Sequence, residues 1–136
     1  MTRWRFLDRA IVLAIHEEAL AAHGGAVGVI GEPALEAAIL RPREVAKAEP
    51  RADAARLAAA CAMGFLRSHP FVNGKKRVAL IAMELFLADN GYELMANDVD
   101  CVIQIDLLAS REIDDAGLAE WLRANIIPRG QSTSTS

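Results

Sequence analysis

Apolar residues recur at three- and four-residue steps over most of the chain, the period of a helix buried along one face. Between Asp8 and Ala22 the positions Ile11, Val12, Ile15, Ala19 and Ala22 keep that period, with Asp8 placed to cap the start and Gly24-Gly25 to stop the helix. Ala26 to Gly31 is interrupted by glycine and reads as loop. Glu32-Pro33 then opens a short helix through Leu40, with proline in the first turn where its missing N–H costs nothing, and Pro42 ends it. From Arg41 to Pro50, charged or small residues bounded by prolines predict a surface flap, extended at Glu44-Val45-Ala46.

Arg51 to Ser68 predicts a helix that is apolar nearly all round from Leu57 to Leu66, and Val78 to Ala88 repeats the pattern with Gly91 as its stop. Helices without a wet face belong at the centre of a bundle, so these two form its middle, joined by one short loop. A brief Tyr92-Glu93-Leu94 extension follows, then helices from about Asp98 to Ala109 and from about Asp114 to Asn125, the latter with Leu118, Trp121 and Leu122 inward. The fold class is therefore all-α: a helical bundle with a short extended flap before the central helix pair. A single domain occupies residues 1–128, and the polar stretch 129–136 is a disordered tail.

Composition narrows this picture. At 136 residues, with 53% apolar and 24% charged side chains, the chain has the makings of one packed core. Alanine supplies about a fifth of it, favouring helix over sheet. The longest apolar run, Leu57 to Leu66, is about half the ~20 residues of a spanning helix, so no membrane partner is expected. The six apolar residues between Arg9 and His16 are too few for a signal peptide. Cys61 and Cys101 have no neighbour at metal-ligand spacing and read as small buried hydrophobes of a reducing compartment, which makes the cytoplasm the default location. A net charge of −3 gives no general attraction for nucleic acid, and any polyanion site must be local.

One such place stands out. The loop between the two central helices, Ser68-His69-Pro70-Phe71-Val72-Asn73-Gly74-Lys75-Lys76-Arg77, gathers the chain's most reactive side-chain types. Pro70 breaks the incoming helix, Phe71 is suited to anchor the loop in the core, and Asn73-Gly74 suits a turn into the outgoing helix. The amides of Gly74, Lys75 and Lys76 would then be orphan donors of a helix first turn beside three cations. Cations oppose the helix dipole there unless an anion is bound, so Lys75, Lys76 and Arg77 predict a phosphate site. His69, at the other lip, is a proton acceptor by residue type. A base beside a bound phosphate points to phosphoryl or nucleotidyl transfer.

The run from His69 to Arg77 resembles the signature loop of the Fic/Doc (Fido) family: His, x, Phe, x, Asp or Glu, Gly or Ala, Asn, Lys or Gly, Arg. Helix order, the Gly24-Gly25 stop and the segment Glu32-Pro33-Ala34-Leu35-Glu36-Ala37-Ala38-Ile39 resemble its Doc toxin branch over roughly residues 7 to 125. The resemblance implies a Fido-type helical enzyme that uses ATP or another nucleoside triphosphate, with Mg²⁺, to modify a hydroxyl of a target protein. It makes His69 the general base, Arg77 and Lys76 the grip on phosphates, and Gly74 the point of close backbone approach. Members that transfer AMP usually carry a second arginine three positions after the first. Here that position is Leu80, as in Doc-like toxins, whose implied reaction is phosphorylation of a translation factor.

Two positions depart from the pattern. Asn73 stands where the acidic Mg²⁺ ligand is expected, and its neutral amide is a poorer ligand for a hard cation; a helix N-cap is an equal reading of it. Lys75 replaces the asparagine of the anion pocket. The family's inhibitory Ser/Thr-x-x-x-Glu helix is missing from this sequence, so the resemblance implies an antitoxin that restrains the enzyme in trans. AMP transfer on the same scaffold and a degenerate domain that only binds are the alternatives. His16 and His23 carry no motif and read as exposed or locally satisfied, while Cys61, Met63, Met83, Phe86 and Trp121 read as core.

Overall fold

The computed structural model describes residues 4–23, 31–68 and 74–130. Among them run six helices: α1 (Arg9–His23), α2 (Glu32–Ala48), α3 (Ala54–Ser68), α4 (Lys75–Asp89), α5 (Asp98–Ala109) and α6 (Asp115–Asn125). Two three-residue strands, β1 (Tyr92–Leu94) and β2 (Ile126–Pro128), complete the order. The fold is all-α, as the helical periodicity predicts. No helix among the described residues is long and apolar enough to cross a membrane.

The centre is α3, packed against α2, α4 and α6. Its Ala-rich surface explains how three neighbours fit around it: Ala54, Ala55, Ala58, Ala59, Ala60 and Ala62 are all buried, and short side chains let helices approach closely on several sides. Phe65, Leu66, Met83 and Phe86 fill the space between α3 and α4 with larger groups. α1 and α5 lie against α4. Ahead of α1, Trp4 and Phe6 tilt onto Phe86 with ring centroids 6.2 and 6.0 Å away. Of the five residues read as core, Cys61, Met83 and Phe86 are buried, while Met63 and Trp121 pack partly exposed against them.

Asx side chains start four helices. The carboxylates of Asp8, Asp53 and Asp114 accept from the backbone N–H of Ile11, Arg56 and Gly117 at 2.8–2.9 Å. Asn97 accepts from Asp100 N–H at 2.8 Å. Each satisfies an orphan donor of a first turn, and of the four only the Asp8 cap is anticipated by the sequence pattern.

The flap is a misreading. Residues Arg41 to Ala48 continue α2, and Pro42 sits inside the helix, buried, rather than ending it. Leu35, Ala38, Pro42 and Val45 form one buried stripe that keeps helical spacing straight through the proline. Proline gives no N–H to the carbonyl four residues back, here Ala38. That carbonyl faces α3 where α3 has Gly64: a Cβ added there would stand 2.9 Å from the Ala38 oxygen and 3.1 Å from Cβ of Arg41. Close packing of α2 on α3 thus outweighs the breaker signal, and Glu44-Val45-Ala46 is helical, with Val45 buried.

The second difference is β2. Ile126–Pro128 pairs antiparallel with β1, in register Tyr92↔Pro128, Glu93↔Ile127 and Leu94↔Ile126. Arg129 N–H donates to Gly91 O at 2.7 Å, so the first residue of the stretch read as a tail is held; 131–136 lies outside the described residues.

Charged groups tie the α2–α3 connection to α6. Arg56 reaches Glu49 at 2.9 Å and Asp115 at 2.8 Å, and Arg123 meets Asp53 at 2.7 Å. The hydrogen bond from Arg123 holds the Asp53 carboxyl below its ordinary range, and that from Arg56 does the same for Glu49. With folded values depressed, these pairs stabilise fully above the unfolded carboxylate values near pH 4 and lose their contribution as pH falls through the folded ones. Melting temperature should therefore decline below about pH 4, and Arg123→Met should make the decline shallower. A profile for the variant parallel to that of the parent protein would refute the assignment.

Candidate active site

The residues of the sequence-predicted site fall into two groups. His69, Phe71 and Asn73 lie outside the described residues, while Gly74, Lys75, Lys76 and Arg77 form the start of α4. Gly74 is the N-cap, with φ +82° and ψ 14°, in the left-handed region that a side chain makes costly. The cap position thus belongs to Gly74, one residue beyond Asn73. Glycine offers no side chain to the first-turn amides, and the turn contains no acidic residue. What stands there instead is the run of three cations, with Lys75 and Arg77 half-buried and Lys76 exposed.

Both sides of this turn are tied to α5. At the end of α3, Arg67 donates to the carbonyl of Leu108 at 2.9 Å, and at the start of α4 the Lys76 ammonium meets Asp106 at 3.1 Å. The segment 69–73 is therefore bracketed by anchors on the last two turns of one helix. Lys76 and Asp106 are each about half exposed (55% and 53%), and such a pair contributes only ~0–1 kcal/mol. Exchanging Asp106 for a phosphate oxygen would thus cost the protein little.

Lys76 and Arg77 line a small cleft of 210 Å³ with Leu80, Val102, Ile105 and Asp106. Leu80, the position of the second arginine in AMP-transferring members, is a buried wall of that cleft rather than a second cation. A larger cleft, 870 Å³ between Trp4, Phe6 and the α2–α3 connection, shares no lining residue with the motif.

His16 carries no motif, and the sequence leaves it exposed or locally satisfied. It is buried, 4% exposed, on α1, so the exposed reading fails, and it is the one buried polar residue among those described. A Cβ at Gly74 would lie 4.0 Å from Cδ2 of His16 and 3.9 Å from Cδ2 of Leu20, so α1 supports the turn from beneath. The signal was available: His16 falls in register with the buried stripe Val12, Ile15, Ala19 and Leu20.

The cysteines are as expected, both free and buried. Burial pushes the Cys61 thiol up, and burial together with nearby Glu84, Asp98 and Asp100 pushes that of Cys101 to about 11, which leaves neither as a ready nucleophile. A protein-held Mg²⁺ does not fit the residues present. The loop from 69 to 77 contains no carboxylate, and among the described residues no group of three His, Cys, Asp or Glu stands together.

The structure thus sets a left-handed glycine cap and three consecutive cations, with no acid among them, at the start of α4 inside a bundle of buried helices. Comparison with family models identifies the bundle: the chain belongs to the Fic/DOC family, whose model matches residues 6–87, from the approach to α1 through nearly all of α4. The match includes the segment 69–77 and stops short of α5 and α6. No curated protein matches the chain. Domains of this family generally transfer AMP or a phosphoryl group from a nucleoside triphosphate, with Mg²⁺, to a protein, and often work beside an antitoxin.

Proposed function

We propose that this chain is a Doc-like toxin of a toxin–antitoxin pair, transferring phosphate from ATP or another nucleoside triphosphate to a hydroxyl of a target protein such as a translation factor. The observation that carries the proposal is the start of α4: a left-handed Gly74, no acid in the first turn, and Lys75, Lys76 and Arg77 in its place. Backbone donors and cations together would hold the triphosphate and stabilise charge as it shifts toward the leaving group. His69 takes the proton of the target hydroxyl. The hydroxyl oxygen bonds to the γ-phosphorus, the bond from that phosphorus to the β–γ bridging oxygen breaks, and the nucleoside diphosphate leaves. Leu80 favours this over AMP transfer, because a buried leucine offers no second cation for an α-phosphate attack. The sequence given holds no Ser/Thr-x-x-x-Glu spacing, which favours restraint by an antitoxin bound in trans.

Two labels test the proposal. The protein is incubated with extract and with ATP labelled on either the γ- or the α-phosphate. Label from the γ-position should appear on a protein band and label from the α-position should not, and Arg77→Ala should weaken ATP binding roughly tenfold or more. Incorporation of α-label would establish AMP transfer instead. ATP binding with no incorporation from either position would leave a binding domain and end the enzymatic reading.

A further inference from the structure

The groups around the start of α4 do not suit Mg²⁺, and the two departures from the family pattern point the same way in charge. Asn73 stands in place of an acid, and Lys75 stands in place of an asparagine. Each change makes the segment one unit more positive, so together they add the charge that a divalent cation would bring. The surroundings do not offset this. Asp106 is the carboxylate that meets the turn, and Lys76 already holds it at 3.1 Å. Glu84 lies nine residues beyond Lys75, about 14 Å along the helix axis, too far to reach an ion at the first-turn amides.

The three cations also stand on different sides of the helix. Lys76 and Arg77 line the cleft toward α5. Lys75 falls in line with Val78, Ala79 and Ala82, part of the face that α4 buries, and is itself half-buried. Its Cα–Cβ bond tilts toward the helix N-terminus, the end where the free amides lie. We propose that Lys75 takes the place of the metal: the site binds the nucleoside triphosphate free of Mg²⁺, with the Lys75 ammonium neutralising phosphate oxygens that a divalent ion would otherwise bridge. The inference rests on the reading that the start of α4 holds a triphosphate, and deepens it by naming the form of the nucleotide. An ammonium suits the task, being a compact point charge with three donors. The sign follows from electrostatics. Three cations and the positive end of a helix attract a ligand according to the negative charge it carries, and repel a divalent ion placed among them. The metal-free triphosphate carries more negative charge than its Mg²⁺ complex. Added Mg²⁺ therefore competes with the protein for the nucleotide instead of helping it bind.

The test reads binding rather than transfer. ATP is titrated into the full chain by calorimetry, once in EDTA and once in excess Mg²⁺, at equal ionic strength. Binding should be about tenfold or more tighter in EDTA. Lys75→Met should weaken binding in EDTA more than in Mg²⁺ and so narrow the gap, while Asn73→Asp/Lys75→Asn should reverse it, with Mg²⁺ now tightening the complex. The comparison on the parent protein decides the matter even if a variant fails to fold. Parental binding that is equal in the two media, or tighter with Mg²⁺, would overturn this inference and leave the nucleotide site standing. A folded Lys75→Met variant that kept the full parental gap would overturn it too. No binding in either medium would remove the site itself, and the proposed function with it.

Discussion

Replacing His69 by Ala should lower the rate of γ-label transfer by about 10²- to 10⁴-fold, the usual contribution of a positioned general base. ATP binding should persist, because the groups proposed to hold the triphosphate begin five residues later, at the glycine cap and first turn of α4. That split distinguishes a base from a structural residue. Loss of a residue that merely closes the loop would disturb the Gly74 turn and weaken binding and transfer together, whereas loss of the proton acceptor spares the ground-state complex. Transfer at the parental rate in the variant would remove His69 from the chemistry. Loss of binding in step with rate would make it a structural residue.

The second large effect concerns stability. Gly64→Ala should lower the melting temperature by roughly 4–10 °C, a loss of about 1–3 kcal/mol for a chain of this size. The direction runs against helix propensity, which favours Ala over Gly by about 1 kcal/mol in a helix interior. Close approach decides it. The added methyl would stand 2.9 Å from the Ala38 oxygen, a backbone atom that cannot swing aside, and 3.1 Å from Cβ of Arg41. Relief would require α2 to lift from α3, opening the seam between them. Gly117→Ala on α6 is the control. Its methyl would meet nothing closer than 3.4 Å, so propensity should prevail and the melting temperature hold or rise. Gly64→Ala melting at or above the parent would mean that α2 does not lie on α3 as described.

Much of this molecule was legible before its structure. Helical periodicity placed α1, α3, α4, α5 and α6 to within a few residues, because each buries a stripe long enough to outvote its ends. Local chemistry also singled out the candidate site. Three cations in a helix first turn break a dipole rule, and a rule broken at one place is a functional signal readable from residue order alone. The same locality explains the failure at Pro42, since a breaker is strong evidence about one turn of chain and none about what packs on it.

Residue order therefore determined the helices, the core stripes and the cluster from His69 to Arg77, all of which depend on neighbours a few positions away. Tertiary structure alone decided the rest. Gly64 lets α3 cover the carbonyl that Pro42 leaves without a donor, which turns a flap into a helix; Ile126–Pro128 becomes a strand only because β1 lies beside it. His16 comes to support the Gly74 turn, and Arg67 and Lys76 come to tie both of its sides to α5, across separations of tens of residues. Whether the stripe Val99, Val102 and Ile103 of α5 is covered or bare is likewise a property of packing. A side chain's periodicity states that a face is apolar, but only the arrangement of the other helices states whether anything is left to bury it.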